Sequence, residues 1–162
     1  MNREIKFRGK PDWDSIDEDY VKLYAGEAYK DGWVYGQLAR NAYGMAWIIG
    51  HIVEWDEDYI YPGYWIPVDP ETVEQYTGLK DKNGVEIYEG NICRAAVYKD
   101  PITLRKSIMI NSLVVFRNGA FTLDGHKRLP DGFRTLPTLD GCKVIGDIHD
   151  NPELLEVLGD GN

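Results

Sequence analysis

The amino-acid sequence predicts a mostly-β, α+β fold: a barrel-like antiparallel sheet built of hairpins, with two short helices. Three observations carry that expectation. Two Asn-Gly pairs, Asn83-Gly84 and Asn118-Gly119, each sit between apolar-rich segments, and Asn-Gly tolerates the φ > 0 conformations that tight hairpins need. Apolar side chains fall at every second position in several stretches, the period of a half-buried strand. The clear helix starts precede short segments that soon meet a glycine.

Along the chain, Glu4–Arg8 alternates polar and apolar residues and reads as a strand. The acidic segment Pro11–Asp19 reads as a solvated loop; as a calcium loop it fails the EF-hand spacing, because the fifth position and the central glycine are wrong. Asp31-Gly32 is a turn, followed by the strand Trp33–Leu38. Tyr43, Met45, Trp47, Ile49, His51, Val53 and Trp55 occupy alternate positions and predict one long strand. Met45, Ile48, Ile49 and Ile52 also fit a helical spacing, but Gly44, Gly50 and the Trp/Ile/Val content favour strand. A short strand Tyr64–Val68 follows Pro62-Gly63.

Asp69-Pro70 opens the first predicted helix, over about 70–76: Asp accepts from exposed N–H groups, and Pro needs none at the first position. Thr77-Gly78 ends it. Val85–Tyr88 and Ile92–Tyr98 read as strands, and Ser107–Arg117 with Ala120–Leu123 as a hairpin. Lys143–His149 is the last strand. Asn151-Pro152 opens the second helix, over 152–158, with Leu154, Leu155, Val157 and Leu158 on its apolar side. One domain over 1–158 is expected, with lobes at 1–68 and 78–150 and a tail at 159–162.

Composition narrows the function classes. The net charge of −9 disfavours indiscriminate binding to phosphate backbones. Residues 1–90 carry all of that excess, whereas 94–134 hold eight basic residues against three acidic ones. Tyr98, Phe116, Phe121 and Phe133 interleave with those cations, so a nucleic-acid interface using Lys99, Arg105, Arg117 and Arg134 is an alternative reading. The competing reading makes the rings core and the cations solvated strand faces. Cys93 and Cys142 belong to no paired-cysteine motif and read as small buried apolar residues, a disulfide between them being the alternative. Asp147, His149 and Asp150 could begin a metal site, but on a strand Asp150 points away from the other two. No catalytic motif is present in the sequence, so no catalytic residue, metal or cofactor is expected; an uncharacterised metal-dependent enzyme is the second alternative. The charged start has no apolar signal core, and the longest stretch without charge, Asn41–Val53, is too short to span a bilayer, so a cytoplasmic protein is expected.

Four segments together resemble the YopX family of phage and prophage proteins: Arg3–Arg8, Trp33-Val34-Tyr35-Gly36, the run Thr72–Gly84 continuing as Glu86–Ile92, and Val144–Leu155. Glu74 stands where the family pattern has a small residue, Asn91 where it has aspartate, and His149 where it has an aromatic ring. The last difference counts against a metal role. The resemblance implies a β-rich fold, a phage or prophage setting and a bacterial host cytoplasm; it implies no reaction. The expectation is an accessory protein that acts by binding rather than by catalysis. Its partners would be an unknown host or phage protein and a second copy of itself, because Tyr59, Tyr61, Tyr64 and Trp65 crowd a Pro-Gly connection where rings stay exposed.

Overall fold

Strand pairing organises both halves of the chain. The computed structural model describes residues 4–100, 102–103, 105–124 and 139–155, and it divides into two compact units, Met1–Tyr76 and Thr77–Asn162. The class is mostly β and antiparallel throughout, as expected; the sheets are open, and no closed barrel forms among the described residues.

In the first unit β1 (Phe7–Gly9), β3 (Trp33–Arg40), β4 (Ala46–Ile49), β7 (Trp65–Val68) and the start of β8 (Glu74–Lys80) lie in the order β7-β4-β3-β1-β8. The short β2 (Tyr29–Lys30) pairs with the start of β3. Val34, Ala46, Ile48, Ile66 and Val68 bury one sheet face beneath α1 (Glu18–Ala25), which contributes Val21 and Ala25. This helix starts in the last two residues of the predicted acidic loop and continues through residues 20–25, to which the sequence reading assigned no element. Its signal was Asp17, whose carboxylate accepts from Tyr20 N at 2.8 Å and caps the first turn. Arg8 and Glu74 form a buried ion pair across β1 and β8, with Nε and Nη2 both on Oε2 at 2.7 and 2.6 Å. The guanidinium also lies over the Trp33 ring.

Two expectations need correction here. The stretch 43–55 is extended, but it is two strands, not one. Asn41 accepts from Tyr43 N and Met45 N and turns the chain into β4. After Gly50 the chain leaves the sheet to form β5 (Ile52–Trp55), which pairs with β6 (Ile60–Pro62) in a separate two-stranded ribbon. The predicted helix at 70–76 is one 3-10 turn, Pro70–Thr72. The Thr72 hydroxyl donates to the Asp69 carbonyl and accepts from Lys10 N, closing that turn. Glu74 and Gln75 then pair with β1, so sheet formation overrides the helix start.

In the second unit the rest of β8 pairs with β9 (Glu86–Tyr88), and β10 (Asn91–Asp100), β11 (Arg105–Arg117), β12 (Ala120–Asp124) and β13 (Lys143–Asp147) form a sheet in the order β12-β11-β10-β13. Asn118-Gly119 makes the β11–β12 turn with both residues at positive φ. It sets Phe116 against Phe121, whose rings meet edge to face at 5.0 Å. The core holds Ile87, Cys93, Ala95, Val114, Leu123 and Cys142. β13 ends at Asp147, two residues before the predicted end, because residues 148–150 turn back. The second predicted helix is a 3-10 turn, Pro152–Leu155, and its remaining positions lie outside the described residues.

Gly36 shows how tightly β3 is held. A Cβ there would fall on the Ile49 carbonyl oxygen and lie 2.7 Å from the Tyr64 hydroxyl, which donates to the Tyr35 carbonyl. Gly36→Ala should therefore cost about 2 kcal/mol or more, since a packed backbone must move. At Gly63 the nearest atom to an added Cβ is Val53 Cγ1 at 3.4 Å, so Gly63→Ala should cost far less. Thermal melts of the two variants test the contrast.

Candidate functional site

The segments that carry the family resemblance in the second unit fold onto one another, and their polar side chains are directed at backbone. Asp81 is buried at the start of the Asp81-Lys82-Asn83-Gly84 turn. Its Oδ1 accepts from Asn83 N at 2.7 Å and Val85 N at 3.0 Å, and its Oδ2 accepts from Val144 N at 3.0 Å. Burial alone would raise this carboxyl, but the three N–H donors, with Lys143 nearby, outweigh it and hold the group below its ordinary value. One side chain thus shapes the turn and fastens β13. Gly84 has φ +84° with nothing within 4 Å of an added Cβ, so only conformation demands glycine there.

The second junction joins 88–91 to 146–151. Asn91 is buried; its Oδ1 accepts from Tyr88 N at 2.8 Å and its Nδ2 donates to Asp147 Oδ2 at 3.1 Å. Aspartate at position 91 would keep the first bond and set two carboxylates against each other at the second. Asp147 Oδ1 also accepts from His149 N, Ile148 N donates to the Gly90 carbonyl, and Asn151 N donates to the Asp147 carbonyl. Gly146 leaves room for this return: a Cβ would lie 2.7 Å from both Asn151 Oδ1 and Leu154 Cδ1. Of the metal trio considered from sequence, Asp147 and His149 offer ligand atoms within 4.8 Å of one another, Asp147 buried and His149 exposed, whereas the exposed Asp150 is not in that group.

Cys93 and Cys142 are free thiols with no exposure, in one core, as read from sequence. The hydrogen bond between the two thiols and their burial push Cys93 well above the ordinary thiol range. That makes it a poor nucleophile.

Of the proposed nucleic-acid residues, Lys99 and Arg105 share one end of the β10–β11 pair, where Asp100 lies opposite Arg105, and Arg117 lies at the other end of β11. Lys99 lies on β10 and Arg105 begins β11, with their side chains outside what is described; Arg134 lies outside the described residues altogether. Arg117 is exposed at the β11–β12 turn and pairs with Asp124 at 2.9 Å. In the first unit, the acidic loop uses its carboxylates on itself: Asp12 accepts from Asp14 N and Ser15 Oγ, and Asp17 caps α1. An open hollow of about 420 Å³ beside this loop is lined by Pro11, Asp12, Trp13, Asp14, Asp69 and Pro70.

The exposed feature of the first unit is the β5–β6 ribbon. All four residues of β5 are exposed, and Trp55, Ile60 and Tyr61 show 70%, 62% and 62% of their surface. Tyr59 and Trp65 are exposed as expected from sequence, whereas Tyr64 is half-buried, packing at Gly50 and bonding Tyr35. Sequence reasoning found these rings but not the ribbon that presents them; the Gly50 and Gly63 flanks were the available signal. Among the described residues no helix is long and apolar enough to cross a membrane.

Comparison with known proteins agrees with the motifs. The model of a family described as YopX protein matches residues 50–156. No curated protein matches the chain. Among solved structures, the crystal structure of protein EF1440 from Enterococcus faecalis is similar at 23% identity, covering 95% of this chain and 99% of that one, with a TM-score of 0.48.

Two substitutions test the structural reading of the 81–84 turn. Gly84→Val should lower the melting temperature through about 1 kcal/mol or more of backbone strain; unchanged stability with a lost biological activity would instead make the turn a functional surface. Asp81→Asn should cost about 1–3 kcal/mol at neutral pH, because buried N–H groups lose acceptors. A carboxyl held below its unfolded value adds stability that is present above about pH 4 and lost as pH falls through the lowered value. The difference between wild type and Asp81→Asn in urea melts should therefore shrink below that pH.

Proposed function

The chain belongs to the YopX family, and on that premise we propose that it serves a bacteriophage or prophage as an accessory protein in the bacterial host cytoplasm, acting by binding another protein rather than by catalysis. The observation that carries this reading is the β5–β6 ribbon, a two-stranded element with large apolar side chains in water. Such a ribbon is marginally stable alone, and exposed aromatic surface of this kind marks interaction sites. The polar groups of the family segments support the same reading from the other side: Asp81, Asn91 and Asp147 are buried and hold backbone.

A nucleic-acid partner is the second reading. Phe116 and Arg117 favour it, exposed side by side at the β11–β12 turn. The Asp124 carboxylate already engages that guanidinium, so its attraction for phosphate is reduced.

A pull-down from infected host cells, with and without nuclease, separates the two. The expected result is a protein partner retained after nuclease treatment and lost from a Trp55→Ser/Ile60→Ser bait. Recovery that depends on intact nucleic acid would promote the second reading. In parallel, single-stranded oligonucleotides should bind no tighter than tens of micromolar at physiological salt, the range of non-specific phosphate contacts. A tight complex that weakens steeply with added salt would overturn the protein-binding reading.

A further inference from the structure

The register of the β5–β6 ribbon sorts its side chains in a way that the sequence alternation conceals. Ile52 lies opposite Pro62, Glu54 opposite Tyr61 and Trp55 opposite Ile60. Two steps on β5, from Ile52 to Glu54, meet one step on β6, so Val53 is the extra residue of a bulge. Residues directly opposite each other share a face, and Ile60 and Pro62 share a face because they are two apart. The bulge therefore brings Ile52 and Trp55, three apart in sequence, onto one face with Ile60 and Pro62, of which Pro62 is buried and Ile52, Trp55 and Ile60 are exposed. That face carries no polar side chain. Glu54 and Tyr61 take the other face, where the Tyr59 hydroxyl donates to Glu54 Oε1 at 2.7 Å.

Resting on the reading of the ribbon as a binding face, we propose that its occupant is a second copy of this chain, packed face to face on Ile52, Trp55 and Ile60 about a two-fold axis. Charge placement carries the choice. Between Arg40 and Lys80 the chain has no Lys or Arg, so the ribbon offers a partner no cation. Its carboxylates are Glu54, on the far face, and Asp56, Glu57 and Asp58, in the turn at one end. A two-fold axis across the ribbons sets those acidic turns at opposite ends and leaves both Glu54 side chains outside the contact. An uncharged face then meets an identical uncharged face, as an isologous interface requires.

Addition of a strand at the ribbon edge is the competing geometry, and both edges oppose it. Pro62 removes a donor from β6, and the bulge distorts β5, two devices that blunt exposed edges. Face packing uses neither edge. It also places the Trp55 ring, the most exposed of the three side chains, over apolar neighbours, the environment of a hot spot.

Light scattering coupled to size exclusion tests the proposal, run on the full chain across the micromolar range with three variants. Wild type is expected to show the mass of two chains. Trp55→Ser and Ile60→Ser should each give the mass of one, while Tyr61→Ser, on the opposite face of the same ribbon, should retain two. Circular dichroism and melting temperature, matched between Tyr61→Ser and the other two, establish that the ribbon change and not unfolding dissociates the pair. A wild type that stays a single chain at every concentration overturns the second copy, as does a Tyr61→Ser chain that dissociates as fully as Trp55→Ser. If wild type is a single chain but Trp55→Ser/Ile60→Ser loses the partner in the host pull-down, the binding face stands and its occupant is another protein. If the two-chain mass is confirmed and that bait still captures its partner, the second copy stands, and it is the reading of the ribbon as the accessory binding face that fails.

Discussion

Asp81 is the constraint on which the second unit depends. A buried carboxylate costs free energy unless donors replace the lost water, and here the donors are three backbone N–H groups from two distant pieces of chain. The turn at 81–84 and the strand beginning at Lys143 are therefore tied by one side chain. Lys82 N, donating to the Cys142 carbonyl, adds a second tie at the same place. With β13 fixed there, Cys142 enters the core beside Cys93, and the strand end at Asp147 reaches Asn91. Each of these contacts joins residues far apart in sequence, so the anchor substitutes for what a hairpin would otherwise supply.

The first unit has a corresponding interaction in the Arg8–Glu74 pair. Buried ion pairs contribute little net stability, because the desolvation of both charges offsets their attraction. What such a pair does set is register: β1 must meet β8 so that Arg8 faces Glu74 and stacks on Trp33. Both units thus spend polar groups of the recurrent segments on fixing strand position. The material left for recognition is apolar, and it projects on the ribbon that the main sheet of the first unit does not absorb.

Much of the fold was legible because it is encoded locally. Asn83-Gly84 and Asn118-Gly119 make turns wherever they occur in extended chain, and alternation over Trp33–Leu38 or Ser107–Arg117 has few other readings. The failures share a cause. Asp69-Pro70 is a good helix start, yet it loses to a strand whose partner lies some sixty residues earlier, which a local signal cannot contain. The break at Gly50-His51 was hidden because both halves of 43–55 remain extended, so the period is right while the sheet changes. Helix α1 was missed for the opposite reason: its cap, Asp17, sits in a run of acidic residues that resembles a loop. At the candidate sites, the exposed rings were readable from the Pro-Gly connection. The bulge at Val53 was not, since one extra residue in a ladder leaves no mark in composition.

The two core thiols make the protein a clock for its own opening. Neither sulfur is reachable in the folded second unit, and Cys93 gives up its proton reluctantly. An alkylating reagent can therefore modify them only during excursions in which the β10–β13 pairing is broken. The labelling rate measures how often that pairing lets go, in the native protein and without denaturant. Because the Asp81 anchor and the Cys142 strand entry occupy the same corner, that rate reports on the place where the 81–84 turn and the start of β13 are held together.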